Sequence, residues 1–183
     1  MTVDFFCFHR DRAGAGLLRD DLREEHWSYM DRFADRLIAR GPTFGADGSV
    51  SGSVHIVRVA GPAAARAFAL DEPYWQAGVF RDVMLRRWHD LLGRTMWEFP
   101  NPRPDAPRFL VIGLGGHRVG QPQDPDAVIA CGGLLSDSGG GRLGTAALVQ
   151  VDDARAARAV LGAGDGAEPE VHRWDFGGRP DPE

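Results

Sequence analysis

The sequence predicts an α+β protein made of two tandem ferredoxin-like units. Strand and helix patterns run in the order β-α-β-β-α-β through the first half, and a Pro-rich break, Pro100-Asn101-Pro102-Arg103-Pro104, follows. Short strings of the first half then recur, in order, in the second. The expected boundaries are a first unit over residues 1–99, a linker over 100–108 and a degenerate second copy over 109–183.

The Phe-rich run Val3 to His9 reads as a buried strand, followed by a loop at Asp11 to Gly16. From Leu17 to Arg40 the period becomes helical. Leu22, His26, Met30, Phe33 and Leu37 fall on one face, and Gly41-Pro42 stops the pattern. Gly45 to Gly52 has the Gly/Ser/Asp composition of a hairpin loop, and Ser53 to Val59 alternates as a strand. Pro62 to Leu70 is an Ala-rich helix with proline in its first turn, where the missing N–H costs little. Asp71-Glu72-Pro73-Tyr74 breaks it, and Val79 to Trp88 reads as a strand.

In the second half, Phe109 to Leu114 resembles the first strand. Ile129-Ala130-Cys131-Gly132 sits over Ile38-Ala39-Arg40-Gly41 at a shift of 91. Val149, Val151 and Ala156 to Ala159 match Val57, Val59 and Ala64 to Ala67 at a shift of 92, and Arg173-Trp174 falls over Arg87-Trp88. The second copy has no room for a long helix between Leu114 and Ala127. It also replaces the segment from Asp71 to Gly78 with Gly164-Asp165-Gly166-Ala167-Glu168. It keeps the sheet-forming parts and drops the most polar ones, as a scaffold half would.

Composition narrows the function. The net charge is -5 and no basic stripe is present, which argues against a nucleic-acid partner. Every basic residue is Arg and there is no Lys. Cys7 and Cys131 each sit in an apolar run, at a spacing that suits neither a zinc site nor a redox pair; they fit buried thiols in a reducing cytoplasm. The amino terminus lacks a basic n-region and no stretch is long enough to cross a bilayer, so a cytoplasmic protein without membrane partner is expected.

Two glycine-rich strings carry no cofactor reading. In Gly113 to Gly120 the third glycine of a dinucleotide fingerprint is replaced by Arg118, and no long helix follows. Gly139-Gly140-Gly141 has no Lys-Ser/Thr after it. The histidines lack ligand spacing, so neither a metal nor a cofactor is expected, and His55 and His89 read as a strand residue and a surface residue.

His26 stands on an apolar helical face where an aliphatic side chain would be the simple choice. An imidazole there serves either as an acid/base group or as a hydrogen-bonded core residue. Glu72, with Asp71 beside it, is placed to orient that imidazole or to end a turn in solvent. Tyr74 and Trp75 line a pocket or pack the turn. Gly41-Pro42 and Gly52-Ser53 let backbone approach a ligand or shape turns.

The string of His26, Gly41-Pro42, Gly52-Ser53, Asp71-Glu72-Pro73-Tyr74 and Ala77-Gly78-Val79-Phe80 resembles the YCII family over residues 3 to 90. The resemblance implies a ferredoxin-like fold of the dimeric α+β barrel type, the two halves replacing two subunits as an intramolecular pseudo-dimer. Further pairing into a homodimer stays open. It also implies an enzyme in which His26 meets an acid in a cleft. The acid directly precedes the Pro-aromatic pair; here it is Glu72 where the family usually has Asp, with Asp71 adjacent. The expected activity is cofactor-independent proton transfer on a small organic molecule, leading to isomerisation or elimination. The rival expectation is a non-catalytic module that binds a small ligand or another protein.

Overall fold

In a computed structural model, residues 2–116, 125–162 and 167–179 are described. The chain divides into two compact units, Met1–Leu85 with Phe176–Glu183, and Arg86–Asp175. The division falls inside a strand, not at the Pro-rich stretch. That stretch is held within the second unit, where the Gln150 side chain accepts from Arg103 N–H at 2.8 Å and donates to the Asn101 carbonyl at 2.9 Å.

The first unit contains strands β1 (Val3–Asp11), β2 (Leu37–Phe44) and β3 (Val50–Val59), helices α1 (Gly16–Asp21), α2 (Arg23–Asp31), α3 (Pro62–Leu70) and α4 (Pro73–Gln76), and the start of β4 (Phe80–Asp90). β3 is central: it pairs antiparallel with β1, Cys7 opposite His55, and with β2, Pro42 opposite Ser53. Strand alternation sends Phe5, Cys7, Val57 and Val59 to the face on which Tyr29, Met30, Ala65, Phe68 and Ala69 of the helices pack. Phe6, Phe8, Val54 and Ile56 take the opposite face and are also buried.

The helix expected over Leu17 to Arg40 is shorter and broken. α1 ends before Leu22, α2 ends at Asp31, and a 3-10 turn at Ala34–Arg36 leads straight into β2. Leu37 to Arg40 therefore belong to a strand. The four-residue spacing that linked Leu37 to Phe33 reflects burial of both in one core, from two elements. β2 also supplies the second strand of the β-α-β-β-α-β order.

The second unit is a sheet in the order β8 (Glu170–Trp174), β5 (Arg108–Leu114), β7 (Arg142–Gln150), β6 (Val128–Leu135) and the end of β4, all antiparallel. Helix α5 (Ala154–Ala159) covers it through Ala157, with Leu161 beyond, against Phe109, Val111, Val128, Cys131, Ala147 and Val149. In the first unit a bulge separates the pairs Leu37↔Val57 and Ala39↔Ile56. In the second, the same irregularity separates Val128↔Val149 and Ala130↔Leu148. Residues 117–120 of the glycine-rich string and 164–166 of the shortened connection lie outside the described residues. No helix among the described residues is long and apolar enough to cross a membrane.

Candidate active site in the first unit

The turn between α3 and α4 builds one side of the site. Glu72 is the N-cap of α4: its extended backbone ends α3, and its Oε2 accepts from the Trp75 N–H at 3.0 Å. Pro73 at the first helical position holds the turn. With one oxygen so engaged, the fully buried carboxylate presents Oε1 to His26 Nδ1 at 2.5 Å. The longer Glu side chain thus both caps the helix and reaches the imidazole. Asp71, the alternative partner, is exposed where α3 ends.

His26 sits in the middle of α2, its amide bonded back to Leu22 at 3.0 Å across the α1–α2 break. Its ring stacks on Tyr74, centroids 4.3 Å apart and planes 10° from parallel. The Tyr74 hydroxyl donates to the Arg19 carbonyl at 3.0 Å, tying α4 to α1. The imidazole is thus fixed by a carboxylate and an aromatic face, with its side chain 12% exposed on a cavity of about 900 Å³.

That cavity, wholly within the first unit, brings together five of the residues expected from sequence: His26, Gly41, Pro42, Ser53 and Tyr74. Glu72 stands behind His26 instead of on the wall. Trp75 leans toward His9, ring centroids 5.9 Å apart, and is not on the lining. Gly52 is not on it either. A methyl group there would strike the His9 carbonyl and come within 2.9 Å of Thr43 Oγ1, so its glycine serves the close approach of β1 and β2 to β3.

Residues that sequence reasoning passed over complete the wall. Arg19, almost fully buried, donates to Asp11 Oδ1 at 3.1 Å and to Ser53 Oγ at 2.6 Å, and lies over the Tyr74 ring. His55, set aside as an ordinary strand residue, is buried on the cavity wall 6.0 Å from the His26 ring. Among the described residues its Nδ1 has no hydrogen-bond partner. His9, one strand over, stacks on Phe80 and places Nε2 2.9 Å from the Ala69 carbonyl. The usable signal was strand alternation: Cys7 and His9 share a face of β1, and His55 is opposite Cys7 in the register. His89 is exposed, as expected.

Burial sets the electrostatics. It lowers His9 to about 4 and holds His55 well below its ordinary value, so both are neutral at neutral pH. It raises Asp11 to about 6, although Arg19 opposes the rise. It also raises both thiols, Cys131 to about 12, which leaves them inert.

A pH dependence of stability follows. His9 and His55 favour the fold above pH 6.5 and lose that contribution as pH falls, His9 through about 4. Asp11 has the opposite sign: its contribution is full below pH 3.8 and lost as pH rises through about 6. Two groups oppose one. The melting temperature is therefore expected to fall between pH 6.5 and 4, and His55→Asn to flatten the fall. A curve unchanged in that variant would contradict the assignment.

The turn, the buried acid and the facing histidine lie in one contiguous stretch of sequence. Residues 3–89 match the model of the YCII-related domain. No curated protein matches the chain. Among solved structures, a 5-chloro-2-hydroxyhydroquinone dehydrochlorinase from Burkholderia phenoliruptrix, in complex with 2,5-dihydroxybenzoquinone, is 26% identical. That match covers 47% of this chain and 93% of that one, with a TM-score of 0.45. An anthrone oxidase-like protein is 12% identical, covering 96% and 90% of the two chains, with a TM-score of 0.51. A chlorite dismutase variant from Candidatus Nitrospira defluvii is 8% identical, covering 95% and 91%, with a TM-score of 0.55. The chain has the α+β ferredoxin-like fold of the dimeric α+β barrel type. The YCII-related segment ends near the close of β4 and contains His26, Glu72 and every strand and helix that positions them.

Proposed function

We propose that the first unit is an enzyme for a small organic molecule, with His26 as general acid/base and Glu72 as the residue that orients it. The observation that carries the reading is the His26 Nδ1 to Glu72 Oε1 contact at 2.5 Å, at the wall of the cavity. A carboxylate on Nδ1 favours the tautomer with its proton there and leaves the Nε2 lone pair for a bound molecule. The imidazolium formed when Nε2 takes a proton is then stabilised by the same carboxylate.

The chemistry that such a pair supports is proton transfer. Nε2 removes a proton from an acidic C–H or O–H of the substrate. The electron pair left behind either expels a leaving group from the neighbouring position or is reprotonated elsewhere by His26. These are elimination and isomerisation. Arg19 and Ser53 supply donors on the same wall for a substrate oxygen that gains charge in the step. Among the described residues the second unit keeps the sheet and carries a counterpart of neither the His26 helix nor the Glu72 turn, and its strand register supports reading it as a divergent copy.

The test is a thermal-shift screen of small cyclic and aromatic acids, phenols and lactones against wild type and His26→Ala in parallel. Compounds that raise the melting temperature of the wild type alone, and are consumed by it, support the reading. Compounds that stabilise both proteins equally and are never consumed favour a binding module without catalysis.

A further inference from the structure

The candidate cavity has a wall that comes from outside the YCII-related segment. Phe176, Gly177 and Gly178 line it; they come just after β8, nearly ninety residues beyond that segment's end at residue 89. On one side this stretch is bonded to β2: the Gly177 N–H donates to the Arg40 carbonyl at 3.2 Å, and Arg40 Nε donates to the Gly177 carbonyl at 3.0 Å. The approach admits no side chain. A methyl at Gly177 would sit 2.7 Å from Gly41 Cα and 2.9 Å from Pro42 Cδ. At Gly178, where φ is 135°, it would run into the Arg40 guanidinium.

On the other side the stretch is fastened to α2. Arg179 grips Glu24 with two hydrogen bonds of 2.8 Å, reaches Asp31 Oδ2 at 3.3 Å, and places its guanidinium 5.5 Å from the centre of a Trp27 ring. Glu24, Trp27 and Asp31 all belong to the helix that carries His26. The segment therefore spans from the strand bearing Gly41-Pro42 to the helix bearing the proposed base.

We infer that Phe176–Arg179 is a closing strap for the His26 cavity, fastened by Arg179, which sets ligand size and access from a part of the chain outside the YCII-related domain. Its two attachments differ in kind. The glycine contact with β2 is close-packed, whereas the Arg179 cluster is exposed, its side chains 39%, 65% and 45% accessible for Arg179, Glu24 and Asp31. Exposed ion pairs are individually weak and are screened by salt. The Arg179 end is thus the one that lets go, while the Gly177 end acts as the pivot.

Access to His26 can be read without knowing the substrate, so the test stands apart from the catalytic assignment. Diethyl pyrocarbonate modifies exposed imidazole nitrogens, and mass spectrometry gives a rate for each histidine. His89, exposed in the second unit, serves as reference, and His9, buried and off the cavity lining, reports on the integrity of the fold. In Arg179→Ala the His26 rate is expected to rise about threefold to tenfold with His89 unchanged, the scale of losing a small cluster of exposed pairs. Gly177→Ala is expected to do the same from the other end. High salt should accelerate His26 modification in the wild type and not in Arg179→Ala. A His26 rate that is the same in wild type and Arg179→Ala, and indifferent to salt, would overturn the inference. Should Gly177→Ala also expose His9, it reports unfolding, and the surface variant Arg179→Ala decides.

Discussion

His26→Ala is expected to lower turnover of any compound found in the screen by about 10²–10⁴-fold, the usual worth of a positioned acid/base group. The loss should fall on kcat, because many other residues line the cavity that would hold the substrate, Arg19, Gly41, Pro42, Ser53 and Tyr74 among them. Glu72→Gln keeps the shape and an oxygen to cap α4, but it can turn its NH2 toward Nδ1 and favour the opposite tautomer. It should therefore lower kcat by about 10²-fold or more with little change in KM. A steady-state comparison of the three proteins checks both. Wild-type turnover in His26→Ala would remove His26 from the chemistry whatever its geometry.

Phe68→Ala is expected to cost about 3–5 kcal/mol of stability, the range for emptying an aromatic site in a packed core. Phe68 is 1% exposed and meets Phe33 edge-on with ring centroids 4.8 Å apart and His55 at 5.7 Å. Its carbonyl accepts from the Tyr29 hydroxyl at 3.1 Å. It is thus the point where α2, α3 and β3 meet, one turn before Glu72. Urea unfolding of the variant beside Leu17→Ala, whose side chain is 81% exposed and should change stability by no more than about 0.5 kcal/mol, checks the magnitude. A loss below about 1 kcal/mol would mean that the helices do not bury their faces on this sheet as described.

The residues legible in the sequence were those whose chemistry clashes with their setting. His26 interrupts an apolar helical face, and Glu72 precedes Pro73 at a helix break; the structure puts them in contact. The strand-helix order was legible too, because Phe5, Cys7, Val57 and Val59 alternate while Ala65, Phe68 and Ala69 follow a helical period. Leu37 to Arg40 misled because a bulged strand entering straight from a 3-10 turn continues the helical spacing of Phe33 for one more step. Arg19, His9 and His55 were invisible for a different reason. Each is a polar residue on a strand or a short helix, and only the pairing of β1 with β3 and the packing of α1 bring Arg19 and His55 to the cavity wall and His9 beside them. The closing strap could not be read at all, since nothing local to Gly177 or Arg179 indicates contact with residues about 140 positions earlier.

The most direct measurement of the central claim is the tautomer of His26, read from the nitrogen chemical shifts and proton couplings of the uniformly ¹⁵N-labelled protein at neutral pH. The expected result is a ring with its proton on Nδ1, held by Glu72, and an unprotonated Nε2 whose signal moves when a cavity ligand is added. A ring protonated on Nε2, with Nδ1 acting as the acceptor, would leave no base facing the cavity and would contradict the assignment of His26 and Glu72 as a proton-transfer pair.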